Sequence, residues 1–386
     1  MQYRKLGHVG LVSALGLGTM RLPLKDGSQG YTGISSGQAD IKASIEIIQF
    51  AFNHGINYID TAYNYLDGDS EKILGLALQR GYRENVILAT KAPVWLYHEP
   101  DDFDRYLDEQ LCRLGTDYVD VYLLHGLNER IWQRKVLQNN ILQKLEKAKQ
   151  TGKIRFIGFS FHDRLDVFKS IIDSYPYWDM CQIQHNYLDV KFQAGAVGLT
   201  YASEKEIGVS IMEPLKGGYL ARVPQDIQAV FAAVNQKRSA VEWGLDYLWD
   251  KPEVGVVLSG MGSIAQVKEN ISYASRATVH MLSENEQSVY EKAKHALSVS
   301  SAIPCTGCAY CMHCKQRVAI PYNIFAYNIF CTTGDFDAAS KYYREQVPAF
   351  GLTADACIAC KKCEERCPQQ LPISTLLKRI SEFFGT

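Results

Sequence analysis

Eight short apolar runs, separated by helical patterns through the first 290 residues, constrain this chain more than any other feature. They are LGLGTM (15–20), NYIDTA (57–62), VILATK (86–91), VDVYLLH (119–125), IRFIGFS (154–160), MCQIQHN (180–186), GVSIMEP (208–214) and GVVLSG (255–260). Between them, SEKILGLALQRG (70–81) reads as a helix capped by Ser70 and ended by Gly81, and ILQKLEKAKQTG (141–152) repeats the pattern. Strands that alternate with helices build a parallel sheet, and eight such units predict an α/β fold closed as a (β/α)8 TIM barrel. An open doubly wound sheet is the alternative. It usually carries a GxGxxG turn, and LGLGTM supplies only the GxG. YRKLGHVGLV (3–12) precedes the first run and reads as a hairpin suited to plug the bottom of a barrel.

The remaining length asks for a second unit. The chain has 386 residues, room for a large domain and a small one. Its 41 Lys and Arg balance 42 Asp and Glu, which argues against nucleic acid or an anionic membrane surface as partner. No apolar run reaches membrane-spanning length, and MQYRKLGHVGLV lacks the apolar stretch of a secretory signal, so a cytoplasmic location is expected. Nine of the 11 cysteines follow residue 300. In a reducing compartment that crowding indicates a cofactor-binding segment, not disulfides.

Barrel enzymes place their reacting groups at the C-terminal ends of the strands. The runs end in Asp60, Lys91, His125, Ser160, Gln182 with Asn186, Glu213 and Gly260. Each alone has a plain reading: a loop cap, a solvated lysine, a satisfied core histidine. Together they suit proton donation to a carbonyl as hydride arrives. A tyrosine is a weak acid, with a pKa of about 10, unless an ammonium stabilises its phenolate. Tyr65, in the loop after Asp60, is the expected acid, and Tyr63 is its rival.

At this point the chain resembles the aldo-keto reductase superfamily over residues 1 to about 295. DTAYNY (60–65), ATK (89–91), YVDVYLLH (118–125), GKIRFIGFS (152–160), QIQHN (182–186), EPLKGG (213–218) and SGMGSIAQVKEN (259–270) carry the resemblance. It implies that Tyr65 is the general acid, that Lys91 lowers its pKa, that Asp60 pairs with Lys91, and that His125 orients the carbonyl. It implies that Ser160 and Gln182 face a nicotinamide carboxamide. Leu215, Lys216, Gly217, Gly260 and Ser263 would hold the cofactor phosphates and adenosine, with Asn270 near the adenine. Three positions depart from the family pattern: Met212 replaces a stacking aromatic, Phe161 replaces an asparagine, and Gly260 and Gln266 replace basic residues for a 2′-phosphate. Lys268 is near but on another helical phase. NADPH and NADH therefore both stay open, as does weak nicotinamide binding.

After HALSVSSAIP (295–304), which reads as a linker, come CTGCAYCMHC (305–314) and CIACKKCEERCP (357–368). The second fits the C-x2-C-x2-C-x3-C-P pattern of two-cluster ferredoxins, where the fourth cysteine serves the other cluster. Two [4Fe-4S] clusters are expected: one on Cys305, Cys308, Cys311 and Cys367, the other on Cys357, Cys360, Cys363 and Cys314. The first run ends in a shorter gap, and Lys315 stands where a proline is expected, so Cys314 is the least regular ligand and Cys331 its alternative, though an ordinary buried thiol is the plainer reading of Cys331. Zinc is the rival metal. PYNIFAYNIF (321–330), FDAASKYYREQV (336–347) and LPISTLLKRISEFFG (371–385) read as helices. The expected organisation is a barrel over 1–295 and a mainly helical, ferredoxin-like domain over 296–386. The chain as a whole resembles the branch of the superfamily that carries such a domain.

The expected function is oxidoreduction between a small carbonyl and its alcohol with NADPH or NADH. A ferredoxin-linked enzyme with weak or no nicotinamide binding and a non-enzymatic redox or oxygen sensor are the alternatives, and a ferredoxin or another electron-transfer protein is a possible partner. Loops 22–40, 93–104 and 186–200 would set specificity, with Tyr31, Trp95, Tyr97 and His98 as lining residues.

Overall fold

The eight apolar runs become eight parallel strands, each flanked by a helix or turn that returns the chain to the bottom. In the computed structural model, which describes residues 1–25, 39–298 and 302–386, a hairpin of β1 (Tyr3–Leu6) and β2 (Gly10–Ser13) comes first. The barrel strands are β3 (Leu15–Gly18), β4 (Tyr58–Asp60), β5 (Ile87–Ala92), β6 (Val119–Leu127), β7 (Ile154–Phe161), β8 (Met180–Gln184), β9 (Gly208–Met212) and β10 (Val254–Ser259). They pair in chain order, and β10 closes on β3, with Val257 opposite Leu15. The sheet has no edge, so the open-sheet alternative falls.

The hairpin closes the lower end. Leu6 is fully buried among Tyr58, Ala89, Val121, Met180 and Val256, all near the strand starts. Gly7 sits so close to Gly208 that a Cβ would lie 2.4 Å from its nitrogen, and its φ of +48° suits glycine.

Two local expectations are corrected. The helix expected over 70–81 spans Asp69–Ala77, capped at Gly68, and Ser70 turns inward to Thr61 Oγ1 and Thr19 Oγ1 at 2.9 and 2.7 Å. A buried hydroxyl needs partners, and the core supplies them. The expected linker at 295–304 begins inside a helix, Glu284–Ser298.

The chain divides into two compact units: Met1–Pro214 with Leu245–Leu282, and Leu215–Gly244 with Ser283–Thr386. The first holds the barrel strands. The second joins the loop after β9 to the cysteine-bearing segment, whose helices Ile320–Thr333, Phe336–Glu345 and Ile373–Phe384 surround a core of Ile320, Ile324, Tyr343, Leu377, Ile380 and Phe384. Among the described residues no helix is long and apolar enough to cross a membrane.

Candidate functional site

Asp60 ends β4, Lys91 lies on β5 and His125 on β6, so three adjacent strands deliver them to one end of the barrel. Lys91 is 1% exposed, and its ammonium donates to Asp60 Oδ1 at 2.6 Å, Thr61 O at 2.8 Å and Tyr65 Oη at 3.2 Å. Three donors meet three acceptors, which fixes the head group. Tyr65 enters through the tight turn after β4, its N–H bonded to Ala62 O, and its ring lies edge-on to His125 at 6.1 Å between centroids. Tyr63 faces elsewhere, with its hydroxyl on Glu109 and its ring under the Arg113 guanidinium.

Burial pulls the Lys91 ammonium down and the Asp60 carboxyl up, while their mutual attraction and hydrogen bond oppose both shifts. Removing one member of such a buried pair leaves an uncompensated charge. Lys91→Ala is expected to cost about 3–5 kcal/mol in urea unfolding, and Lys91→Met with Asp60→Asn to recover most of it. Burial, with Lys91 and then His162 adding to it, holds His125 well below the usual histidine range, so its imidazole is neutral at pH 7.

The other residues singled out in the sequence are each placed by their own contacts. Ser160 Oγ accepts from Gly126 N at 2.7 Å. Gln182 donates to Asp60 Oδ2 at 3.2 Å, while its buried Oε1 has no hydrogen-bond partner among the described residues. Met212 ends β9. Ser263 caps the helix Ile264–Ala274 by accepting from Gln266 N, and Gln266 Oε1 reaches back to accept from Gly262 N, one residue before the cap. Asn270 donates to Ser259 Oγ at 3.1 Å. Lys268 lies over the Phe50 ring. Asn186 is committed to its own turn, bonded to Leu188 N, Asp189 and Glu213 O. Leu215, Lys216 and Gly217 belong to the second unit. Of the expected lining residues, Trp95 meets His125 edge-on at 5.1 Å, whereas Tyr97 is fully buried against Tyr106 and Phe103 and His98 is exposed. Tyr31 and most of loop 22–40 lie outside the described residues.

Three features went unread in the sequence. His162 follows β7; burial pulls its imidazole down, a hydrogen bond with Gln193 opposes this, and the Lys91 charge adds to the fall, while His162 in turn lowers His125. Its buried Nδ1 has no partner among the described residues. A polar residue just past a barrel strand was the available signal. The Arg21 side chain lies 3.2 Å from where a Cβ on Gly260 would sit, bringing a cation to the loop that lacked one. Beneath Lys91, the fully buried Glu71 accepts from Thr90 Oγ1 and Gln110 Nε2, pairs with Arg113, and so anchors β5. No motif marks that network.

Residues 14–284 match the Aldo/keto reductase family. The chain belongs to that family. This aldo/keto reductase is therefore an oxidoreductase. It is 31% identical to L-galactose dehydrogenase of Arabidopsis thaliana over 294 residues, 70% of this chain and 88% of that protein. It is 30% identical to the uncharacterized oxidoreductase YqkF of Bacillus subtilis, over 71% of this chain and 92% of that one. Its fold is similar to the holo form of aldo-keto reductase AKR11C1 from Bacillus halodurans, with a TM-score of 0.61 and 27% identity over 76% of this chain and 96% of that one.

In the reductase's second unit, the two cysteine runs adopt one backbone pattern. Gly307 and Ala359, each two residues past the first cysteine, have φ of +63° and +54°, and Ala309 and Lys361, four past it, have +64° and +60°. Gly307 N donates to Cys305 Sγ and Ala359 N to Cys357 Sγ, both at 3.4 Å. Arg317 lies three residues past Cys314 and Gln370 three past Cys367, with φ of +58° and +52°. Their N–H groups return to the carbonyls of Cys314 and Cys367, and each turn leads into a helix, at Ile320 and Ile373. Cys305, Cys308, Cys311 and Cys367 line one cavity with Ile320, Ile324 and Leu371. Burial, then the neighbouring thiols of Cys308, Cys305, Cys367 and Cys363, push the Cys311 thiol up. Among the described residues no group of three or more His, Cys, Asp or Glu closes on a point as ligands of a single metal ion.

Proposed function

We propose that this aldo/keto reductase interconverts a small carbonyl and its alcohol with a nicotinamide dinucleotide, and that its second unit holds two [4Fe-4S] clusters. The contact between Lys91 Nζ and Tyr65 Oη at 3.2 Å carries the first part. Hydride transfer is the chemistry the nicotinamide supplies when bound. Tyr65 hands its proton to the carbonyl oxygen, and the Lys91 ammonium stabilises the phenolate left behind. Asp60 and Thr61 O hold that ammonium in place. Neutral His125 donates a hydrogen bond that orients the carbonyl, and Trp95 walls the pocket beside it.

The unpartnered Gln182 Oε1 fits an amide N–H of a nicotinamide carboxamide, since a buried carbonyl left unpaired is costly. Ser160, Met212, Gly260, Ser263, Gln266 and Asn270, with Leu215, Lys216 and Gly217, are the positions the family resemblance assigns to the cofactor. One relative speaks to cofactor choice by its name, an NADH-specific methylglyoxal reductase from Escherichia coli. Anaerobic titration of NADH and NADPH by fluorescence tests the reading. Saturable binding that weakens in Gln182→Leu is expected. Absence of binding by both nucleotides overturns it and favours a ferredoxin-linked enzyme.

The repeated left-handed turns support the cluster reading. Left-handed backbone costs a non-glycine residue about 1–2 kcal/mol, and Ala309, Ala359 and Lys361 accept that cost at matching offsets. Turns of this kind aim successive N–H groups at an anion, as at many iron–sulfur sites. Thiols that surround a cavity suit a four-iron cube, whereas zinc draws its sulfurs to about 2.3 Å from one point. The repeat also equates Cys314 with Cys367, which supports the assignment of one cluster to Cys305, Cys308, Cys311 and Cys367 and the other to Cys357, Cys360, Cys363 and Cys314.

A further inference from the structure

Lys216 sits in the loop that the resemblance gives to cofactor phosphates, yet its surroundings point elsewhere. The residue is only 4% exposed. Its ammonium lies 3.4 Å from Gln369 Oε1, and both residues belong to the second unit. Gln369 helps line the cavity of Cys305, Cys308, Cys311 and Cys367, and its main-chain N–H supports Cys367. Next to Lys216, Gly217 has φ of +65°, and a Cβ there would lie 2.4 Å from Thr306 O. Thr306 follows Cys305 and lines the same cavity. The loop is thus seated on the first cysteine turn by its backbone and on the segment after Cys367 by its lysine.

We infer that Lys216 is a positioning residue for the iron–sulfur cluster of the Cys305 site, a buried counter-charge that raises its reduction potential. The inference rests on the cluster reading given above. A thiolate-held cluster is anionic and gains a further negative charge on reduction. A buried cation one hydrogen bond from the cavity wall stabilises the reduced form more than the oxidised form, and low local dielectric enlarges the effect. Gln369 carries that influence inward, since it accepts from the ammonium with its side chain and donates toward Cys367 with its main chain. The role differs from phosphate binding, where the lysine would reach for a nucleotide.

The test is an anaerobic redox titration of the full-length holoprotein, with each cluster followed by electron paramagnetic resonance and iron and sulfide counted beforehand. Lys216→Met is expected to retain full iron content. At fixed potential its Cys305-site cluster should shift about tenfold toward the oxidised form, about 59 mV more negative for a one-electron couple. Lys216→Arg should keep the wild-type potential. Gln369→Glu, which leaves the lysine in place and neutralises its charge, should shift the potential in the same direction as Lys216→Met. Wild-type protein that binds no iron or sulfide would overturn the cluster reading itself. Wild-type clusters whose potential moves less than twofold in the oxidised-to-reduced ratio in both Lys216→Met and Gln369→Glu would overturn this inference alone. If Lys216→Met loses tenfold in NADH or NADPH affinity at unchanged potential, Lys216 serves the nucleotide instead, and the inference again fails.

Discussion

Tyr65→Phe is expected to lower kcat for carbonyl reduction by about 10²–10⁴-fold, the range of a positioned general acid. The substitution removes one oxygen and leaves the ring that meets His125 edge-on. Lys91 keeps its bonds to Asp60 and Thr61, so the buried pair survives. Nucleotide affinity and unfolding midpoint should therefore stay near wild type while turnover collapses. Tyr63→Phe is the control, because that hydroxyl serves Glu109 and should be dispensable for turnover. Steady-state kinetics with a panel of small aldehydes and ketones, with binding measured in parallel, reads the result. Turnover within a few-fold of wild type in Tyr65→Phe would show that the proton comes from elsewhere.

Cys314→Ser and Cys331→Ser should separate cleanly. The first is expected to lose the Cys357-site cluster, halving the iron content, and the second to lose none. The repeat is the reason. Cys314 occupies the place in the first run that Cys367 occupies in the second, down to the left-handed residue three positions on and the helix that follows. Cys331 instead lies within the helix Ile320–Thr333, and its thiol meets Tyr327. Iron and sulfide analysis of anaerobically purified variants measures this directly. Full iron in Cys314→Ser with half in Cys331→Ser would invert the assignment.

The barrel was legible because its signal is repeated. Each apolar run faces the same problem of burial on both sides, so each has the same character, and eight independent runs agree. Lys91, Asp60 and His125 could be located because strand ends in a barrel share one rim. Their hydrogen bonds could not, since bonds of 2.6–3.2 Å depend on register and on the turn that carries Tyr65. Ser70 shows the limit of local reading. Its place before an apolar periodicity suited a cap, but Thr61 and Thr19, distant in the chain, claimed its hydroxyl. Tyr97 was expected at the pocket and lies in the core, because aromatic residues in a loop look alike until packing sorts them.

The sequence by itself determined that strands and helices alternate into a closed barrel and that cysteines crowd the last 90 residues at repeating intervals. Hydrophobic period and cysteine spacing are local properties, written in neighbouring residues. Only the tertiary structure decided that Tyr65 and not Tyr63 meets Lys91, that Gln182 keeps a buried oxygen unpartnered, and that Lys216 turns to Gln369. Those outcomes join residues 26 to 153 positions apart, or turn on a buried atom's lack of a partner among the described residues. Long-range pairing of this kind follows from how the packed chain satisfies its buried polar groups, which no single stretch of sequence records.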